Sequence, residues 1–253
     1  MADRSAIEWT EATWNPVTGC SKVSPGCAHC YAEAISLRFR HSSKPWTPEN
    51  ARENVRLHDE RLDQPLRWRR PRLVFVNSMS DLFHEQVPAT FIDRVWRVMT
   101  QASQHTFQVL TKRPERARDW AREYIGVHGS LGHNVWLGVS IENSRYTSRA
   151  DVLREIPAAV RFISAEPLLG SLFVTGGNRR SLDIDGIDWL IAGGESGPQA
   201  RPVDIRWVRE LRDECRRANV AFFFKQWGGR TSKAGGRQLD GLTFDEMPQA
   251  ATA

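Results

Sequence analysis

The chain has 253 residues, with 35 Lys and Arg against 30 Asp and Glu for a net charge of +5. With 40% hydrophobic and 26% charged residues it has the composition of a globular chain able to bury a substantial core, which excludes disorder and collagen-like repeats. Thirty of the cations are arginine and five are lysine, a skew that a GC-rich genome produces by itself, so the surplus does not demand a polyanionic partner.

Met1 to Glu11 contains no apolar signal core, and no later stretch approaches the roughly 18 uncharged apolar residues of a membrane span. The expectation is a cytoplasmic protein without membrane contact. Cys20, Cys27 and Cys30 fall within eleven residues and Cys215 lies far away, which is no disulfide framework for a chain of this size. In a reducing compartment, clustered thiols point to a metal or to catalysis.

In chain order, a short first strand is expected near Thr13–Thr18, then the cysteines, then an excursion over 40–70 rich in Arg, Pro and Trp. Six apolar runs follow: Arg72–Val76, Thr106–Leu110, Asn134–Val139, Val160–Ile163, Asp188–Ala192 and Val220–Phe224. They begin roughly 25 to 34 residues apart, the pitch of a βα unit. Helical spacing lies between them. Phe91, Val95, Val98 and Met99 share a face after Pro88; Ala117, Trp120, Ala121 and Tyr124 recur within Glu115–Ile125, opened by Pro114; Ile205, Val208, Leu211 and Cys215 follow the cap Asp204 and end near Asn219.

Near-continuous apolar strands imply a parallel sheet covered on both faces, hence an α/β fold, doubly wound or barrel-like. The residues just past each run favour the barrel. They are Asn77–Asp81, Thr111–Arg113, Ser140–Asn143, Ser164–Glu166, Gly193–Ser196 and Lys225–Trp227, each carrying polar or ionisable residues, as where βα loops converge on a site. The predicted fold is a partial, open βα barrel of six to seven mostly parallel strands over 1–229. A second excursion spans 171–187 and includes Gly176–Arg180, and a loose tail runs over 230–253.

The most specific segment is Trp14–Glu33, with the spacing Cys-x6-Cys-x2-Cys. Gly19, Pro25 and Gly26 let the backbone fold round so that three soft thiolate ligands converge. Zinc wants four ligands, which His29 or His41 could complete. An iron–sulfur cube takes one ligand per iron, so three cysteines leave one iron open to an exogenous ligand.

Gly19-Cys20, a short loop, then Cys27-Ala28-His29-Cys30-Tyr31-Ala32 after a first strand resembles the cluster loop of the radical S-adenosylmethionine (SAM) superfamily, whose usual spacing is Cys-x3-Cys-x2-Cys. Asn15-Pro16, Asn77–Asp81 and Thr111–Pro114 resemble elements of the subgroup containing the spore photoproduct lyases. The whole chain also resembles an uncharacterised phage-associated family defined by a three-cysteine loop, through Ile163–Gly170 and Gly193–Pro198. The superfamily resemblance implies a [4Fe–4S] cluster on Cys20, Cys27 and Cys30, SAM on the fourth iron, an electron donor, and reductive cleavage to a 5′-deoxyadenosyl radical that abstracts a substrate hydrogen. It implies SAM contacts from Asn77, Ser78, Ser80 and Asp81, a carboxylate partner in Lys112, hydrogen bonds from Ser140, Glu142, Ser164 and Glu166, and packing by Tyr31. The subgroup implies a nucleic-acid substrate, through lesion repair or base modification.

Plainer readings stand beside these. Cys215 shares a helix face with core residues, and Trp96, Trp120 and Trp207 read as packing. Trp46, Trp68 and Trp227 lie in expected loops, and His84 reads equally as a surface residue or a proton donor. Arg67, Trp68, Arg69, Arg70 and Arg72 form a solvated face or a clamp for phosphates and bases. The alternative functions are a non-enzymatic nucleic-acid-binding, phage-associated protein stabilised by zinc or iron–sulfur, and a metal-free barrel enzyme using Glu142, Glu166 and Lys112.

Overall fold

The structure is a computed structural model that describes residues 5–174, 181–231 and 233–248. Its strands are β1 Ala12–Trp14, β2 Val17–Thr18, β3 Arg56–Leu57, β4 Leu73–Val76, β5 Thr106–Thr111, β6 Val135–Ser140, β7 Val160–Ala165, β8 Trp189–Gly193 and β9 Ala221–Gln226. The helices are α1 Tyr31–Arg38, α2 Ala51–Asn54, α3 Ala89–Gln101, α4 Pro114–His128, α5 Ser148–Arg154 and α6 Ile205–Ala218.

Seven strands form one parallel sheet in the order β1-β4-β5-β6-β7-β8-β9. Each new strand adds on the same side of the last, whereas a doubly wound sheet would reverse direction part way. The curl can be measured. Trp9 lies 4.7 Å from Phe75 on β4 and 6.0 Å from Trp189 on β8 (ring centroids). Four strand intervals would set those rings about 19 Å apart on a flat sheet. A sheet whose distant strands share one indole is an open half-barrel.

Alternation along the strands sorts the core into two layers. Val74, Val76, Val109, Leu137 and Phe222 pack outward against the helices, while Phe75, Trp136, Phe162, Trp189 and Phe223 fill the interior with Trp9. The helices bury the expected faces. Phe91, Val95 and Met99 of α3 are buried, as are Trp120 and Tyr124 of α4 and Val208, Leu211 and Cys215 of α6. Asp204 caps α6 by accepting the Arg206 amide at 2.8 Å. No helix among the described residues is long and apolar enough to cross a membrane.

Two expectations need correction. The strand expected over Thr13–Thr18 is two: β1 joins the sheet and β2 pairs antiparallel with β3 from the 40–70 excursion. Asn15 and Pro16 interrupt it, the proline lacking an amide hydrogen for the ladder. The expected loose tail packs instead: Leu239 and Phe244 are buried, and Phe224 N–H donates to the Phe244 carbonyl at 3.0 Å, covering the free edge of β9. The second excursion, expected over 171–187, is anchored by buried Leu182, Ile184 and Ile187; its Gly176–Arg180 part lies outside the described residues.

Candidate active site

The chain enters the cysteine loop through Gly19, where glycine is required twice over. Its φ is +83°, and a Cβ would stand 1.9 Å from the Asn54 carbonyl oxygen. The Gly19 amide donates to the Met79 carbonyl at 3.0 Å, fastening the loop to the end of β4. Pro25 opens a single 3-10 turn over Pro25–Cys27, and Cys30 immediately precedes α1. Cys20, Cys27 and Cys30 thereby line one cavity of about 630 Å³ at the C-terminal ends of the strands.

Three carboxylates, following alternate strands, hold this loop. Past β4, Asp81 accepts from Thr111 Oγ1 (2.8 Å), the Lys112 and Phe83 amides (both 3.0 Å) and Arg113 Nη1 (3.1 Å). Arg113, fixed in this way, donates to the Ser21 carbonyl and hydroxyl at 3.2 Å and reaches Cys20 Sγ at 3.7 Å. Past β6, Glu142 is fully buried and accepts from Ser24 Oγ at 2.5 Å and Arg149 Nη1 at 3.1 Å. Past β8, Glu195 accepts from the Arg201 amide and Nε at 2.9 and 2.8 Å and lies 3.0 Å from His29 Nδ1. Arg201 in turn donates to the Pro25 carbonyl at 2.9 Å. Buried carboxylates persist only with such partners, so each one is both satisfied and structural.

Burial pushes the Cys20 thiol up to about 12, with Asp81 adding to the effect and Arg113 opposing it; burial also raises Cys30. Without a metal these thiols stay protonated, so metal binding must release protons. His84, 1% exposed, is neither on the surface nor facing the cavity. Its Nδ1 accepts the Gln86 amide at 3.1 Å, so Nε2 carries the proton toward Ser21 Oγ at 2.8 Å. Burial, reinforced by Arg113, lowers it to about 4 and keeps it neutral.

Tyr31, Asn77, Ser78, Ser80, Asp81, Lys112, Ser140, Ser164 and Glu166 all line the cavity with the cysteines, and Glu142 does not. Glu142 lies beneath the loop, 3.7 Å from Lys112 Nζ, so its expected contact with SAM is withdrawn. Asp81 has its oxygens committed to Thr111, Lys112, Phe83 and Arg113, which makes it a strut rather than a ligand contact. Tyr31 donates to the Ser78 carbonyl at 2.7 Å and Ser80 to the Val17 carbonyl at 2.9 Å. Two amides that line the cavity each keep one buried atom without a partner. Asn77 Oδ1 accepts the Val17 amide at 3.2 Å, leaving Nδ2; Gln226 Nε2 donates to the Gly194 carbonyl at 3.1 Å, leaving Oε1. Glu166 pairs with Lys225 at 2.5 Å across the same cavity. No three His, Cys, Asp or Glu side chains among the described residues are grouped so as to hold one metal ion. His41 is exposed and outside the cavity.

The basic stretch lies elsewhere. Arg67, Trp68, Arg69, Arg70 and Arg72 precede β4, at the N-terminal end of the strands, and none of them lines the cavity. Arg67 pairs with Asp63 at 2.5 Å, and Arg72 stacks on Trp68, 5.1 Å from its ring centre. A clamp feeding substrate to the cysteines is therefore not formed by this stretch. Sequence reasoning also passed over Arg113, Glu195 and Gln226 as site residues, although their places just past strands were a signal. For Arg201 and Ser24 no local pattern marked the role.

Residues 4–248 match the family model described as a protein of unknown function (DUF5131). No curated protein matches the sequence. The chain is similar to two solved structures. One is a cysteine-to-serine mutant of spore photoproduct lyase, with TM-score 0.46, 15% identity, and 86% of this chain and 75% of that chain covered. The other is spore photoproduct lyase complexed with dinucleoside spore photoproduct, with TM-score 0.41, 16% identity, and 80% and 71% covered. The match across residues 4–248 identifies the chain as a member of DUF5131, a family of unknown function.

Proposed function

We propose that the protein is an iron–sulfur enzyme of the radical SAM type acting on nucleic acid, with Cys20, Cys27 and Cys30 each binding one iron of a [4Fe–4S] cluster. The observation that carries this reading is one loop, held by three strand-end carboxylates, presenting three thiols to one cavity. The donor set fits the cluster: soft ligands, one per iron, beside cavity space for a further ligand. Bound there, the cluster would supply the electron that cleaves the sulfonium C–S bond of SAM.

The chain's own residues supply the rest. Asn77 Nδ2, an unsatisfied buried donor, and Lys112 suit a carboxylate; Gln226 Oε1, an unsatisfied buried acceptor, suits an N–H or O–H group. Ser140 and Ser164 offer hydroxyls from adjacent strands. Trp9, Phe75 and Leu110 form an apolar floor that excludes water.

Anaerobic reconstitution tests the proposal. About four irons should bind per chain, and reduction with SAM and a nucleic-acid substrate should yield 5′-deoxyadenosine. Alanine at Cys20, Cys27 or Cys30 should each abolish the cluster while Cys215→Ala keeps it. A well-formed cluster that leaves SAM intact would refute the radical chemistry.

One observation favours a second reading. The Glu195–His29 contact is the carboxylate–imidazole pairing that orients a metal-ligating histidine. Under this reading Cys20, Cys27, Cys30 and His29 would hold one structural zinc, which requires them to draw together from an arrangement in which no three of them are grouped on one ion, and metal analysis of the purified protein separates the two.

A further inference from the structure

We propose that the outward stripe of α1 is a stacking platform for single-stranded nucleic acid, leading from solvent to the rim of the cysteine-lined cavity. It deepens the reading above by locating the substrate surface, and takes only the substrate class from it.

The helix is built inside out. It buries Ala32, Glu33 and Ser36 and turns its large residues to solvent. Of ten exposed large hydrophobic side chains among the described residues, five lie between Val23 and Phe39, which makes this a patch rather than scattered exposure. Tyr31, Ile35 and Phe39 recur every fourth residue, so they share a face; Tyr31 and Ile35 line the cavity, and Phe39, 61% exposed, stands at the outer end.

Charge selects the partner. No Asp or Glu occurs from 34 to 48, while Arg38 and Arg40 do, and Lys44 pairs outside the window with Glu53 at 2.8 Å. The Arg38 guanidinium lies 5.5 Å from the Phe39 ring centre, and the His41 ring lies 6.2 Å away at 32°. An exposed aromatic face flanked by cations complements base faces joined by phosphates. Base faces are free only in an unpaired strand, since a duplex buries them.

The test is fluorescence anisotropy of the cluster-free full chain with a short single-stranded oligonucleotide and its duplex, across a salt series. Phe39→Ala should weaken single-strand binding about tenfold. Arg38→Gln with Arg40→Gln should reduce the salt slope by about 1.4, two phosphate contacts' worth. Arg69→Gln with Arg70→Gln, at the opposite end of the sheet, should change neither. Melting curves establish that the variants fold. Unchanged affinity in Phe39→Ala, preference for the duplex, or transfer of the loss to the Arg69 and Arg70 variant would overturn the platform and leave the cluster reading standing. A Phe39→Ala effect on dimerisation without one on affinity would also overturn it, marking an interface between copies. No oligonucleotide binding at all would remove both the platform and the nucleic-acid half of the function, while iron content still reports on the cluster.

Discussion

Glu195 joins the strand end to both His29 and Arg201, so its protonation should be felt at the cysteines. Burial alone would raise its carboxyl, but the Arg201 hydrogen bonds and His29 outweigh this and hold it at about 2. A folded value below the ordinary 4.5 contributes stability above pH 4.5 that is lost as pH falls through 2. His84 acts earlier. Buried neutral with a value of about 4 against an ordinary 6.5, it lets the unfolded chain gain a proton first, so stability declines from pH 6.5 to 4. Unfolding measured by urea across pH should show both steps. His84→Gln should flatten the first step and Glu195→Gln the second, the latter costing about 1.5–3 kcal/mol at pH 7 through loss of charge-assisted hydrogen bonds. A Glu195→Gln variant with the wild-type acid profile would contradict the clamp. The cysteines and the polar strand ends were legible as residue types in a pattern. Arg201 was not: it reaches the Pro25 carbonyl across 176 positions, and no local spacing records such a contact.

Among the elements, the six long strands were readable because each is a continuous apolar run, the signature of strands buried on both faces. The β2–β3 ribbon was not, since two-residue strands carry no period to detect. Nor was the packed tail, in which Leu239 and Phe244 belong to no continuous apolar run. The cysteine loop itself depends on a close approach the sequence only hinted at. A Cβ on Gly26 would stand 2.5 Å from Glu142 Oε1 and 2.6 Å from its Cγ, and Glu142 cannot yield because Ser24 and Arg149 hold its carboxylate. Gly26→Ala should therefore cost about 1–3 kcal/mol by overpacking and lower the iron retained after reconstitution. Gly126, within α4 and with nothing near its Cβ position, is the control: Gly126→Ala should stabilise by about 0.4–1 kcal/mol. Equal effects of the two substitutions in urea denaturation would show that the loop does not rest on Glu142.

For the molecule as a whole, the strand pitch established a βα fold but fitted a barrel and a doubly wound sheet alike; the polar residues past each strand favoured the barrel, and the strand order, a pairing between distant segments with no local signature, bears this out. The half-barrel sorts chemistry to its ends, with ionisable strand ends and thiols above and the Arg67–Arg72 stretch below. Trp9 links the two halves of this arrangement. It sits just before β1, packs on Phe75, Phe162 and Trp189 from strands that a flat sheet would hold far apart, and forms part of the cavity floor. Trp9→Ala should thus remove the wedge across the curl, costing about 3–5 kcal/mol in urea denaturation, the range for losing a large buried aromatic. Trp9→Phe, which keeps a ring between the strands, should recover most of that loss. Trp207, half-buried on α6 and remote from the interior layer, provides the comparison. If Trp9→Ala proved no more costly than Trp207→Ala, the interior of the half-barrel would not be closed by Trp9, and the water-excluding floor assigned to the cavity would fall with it.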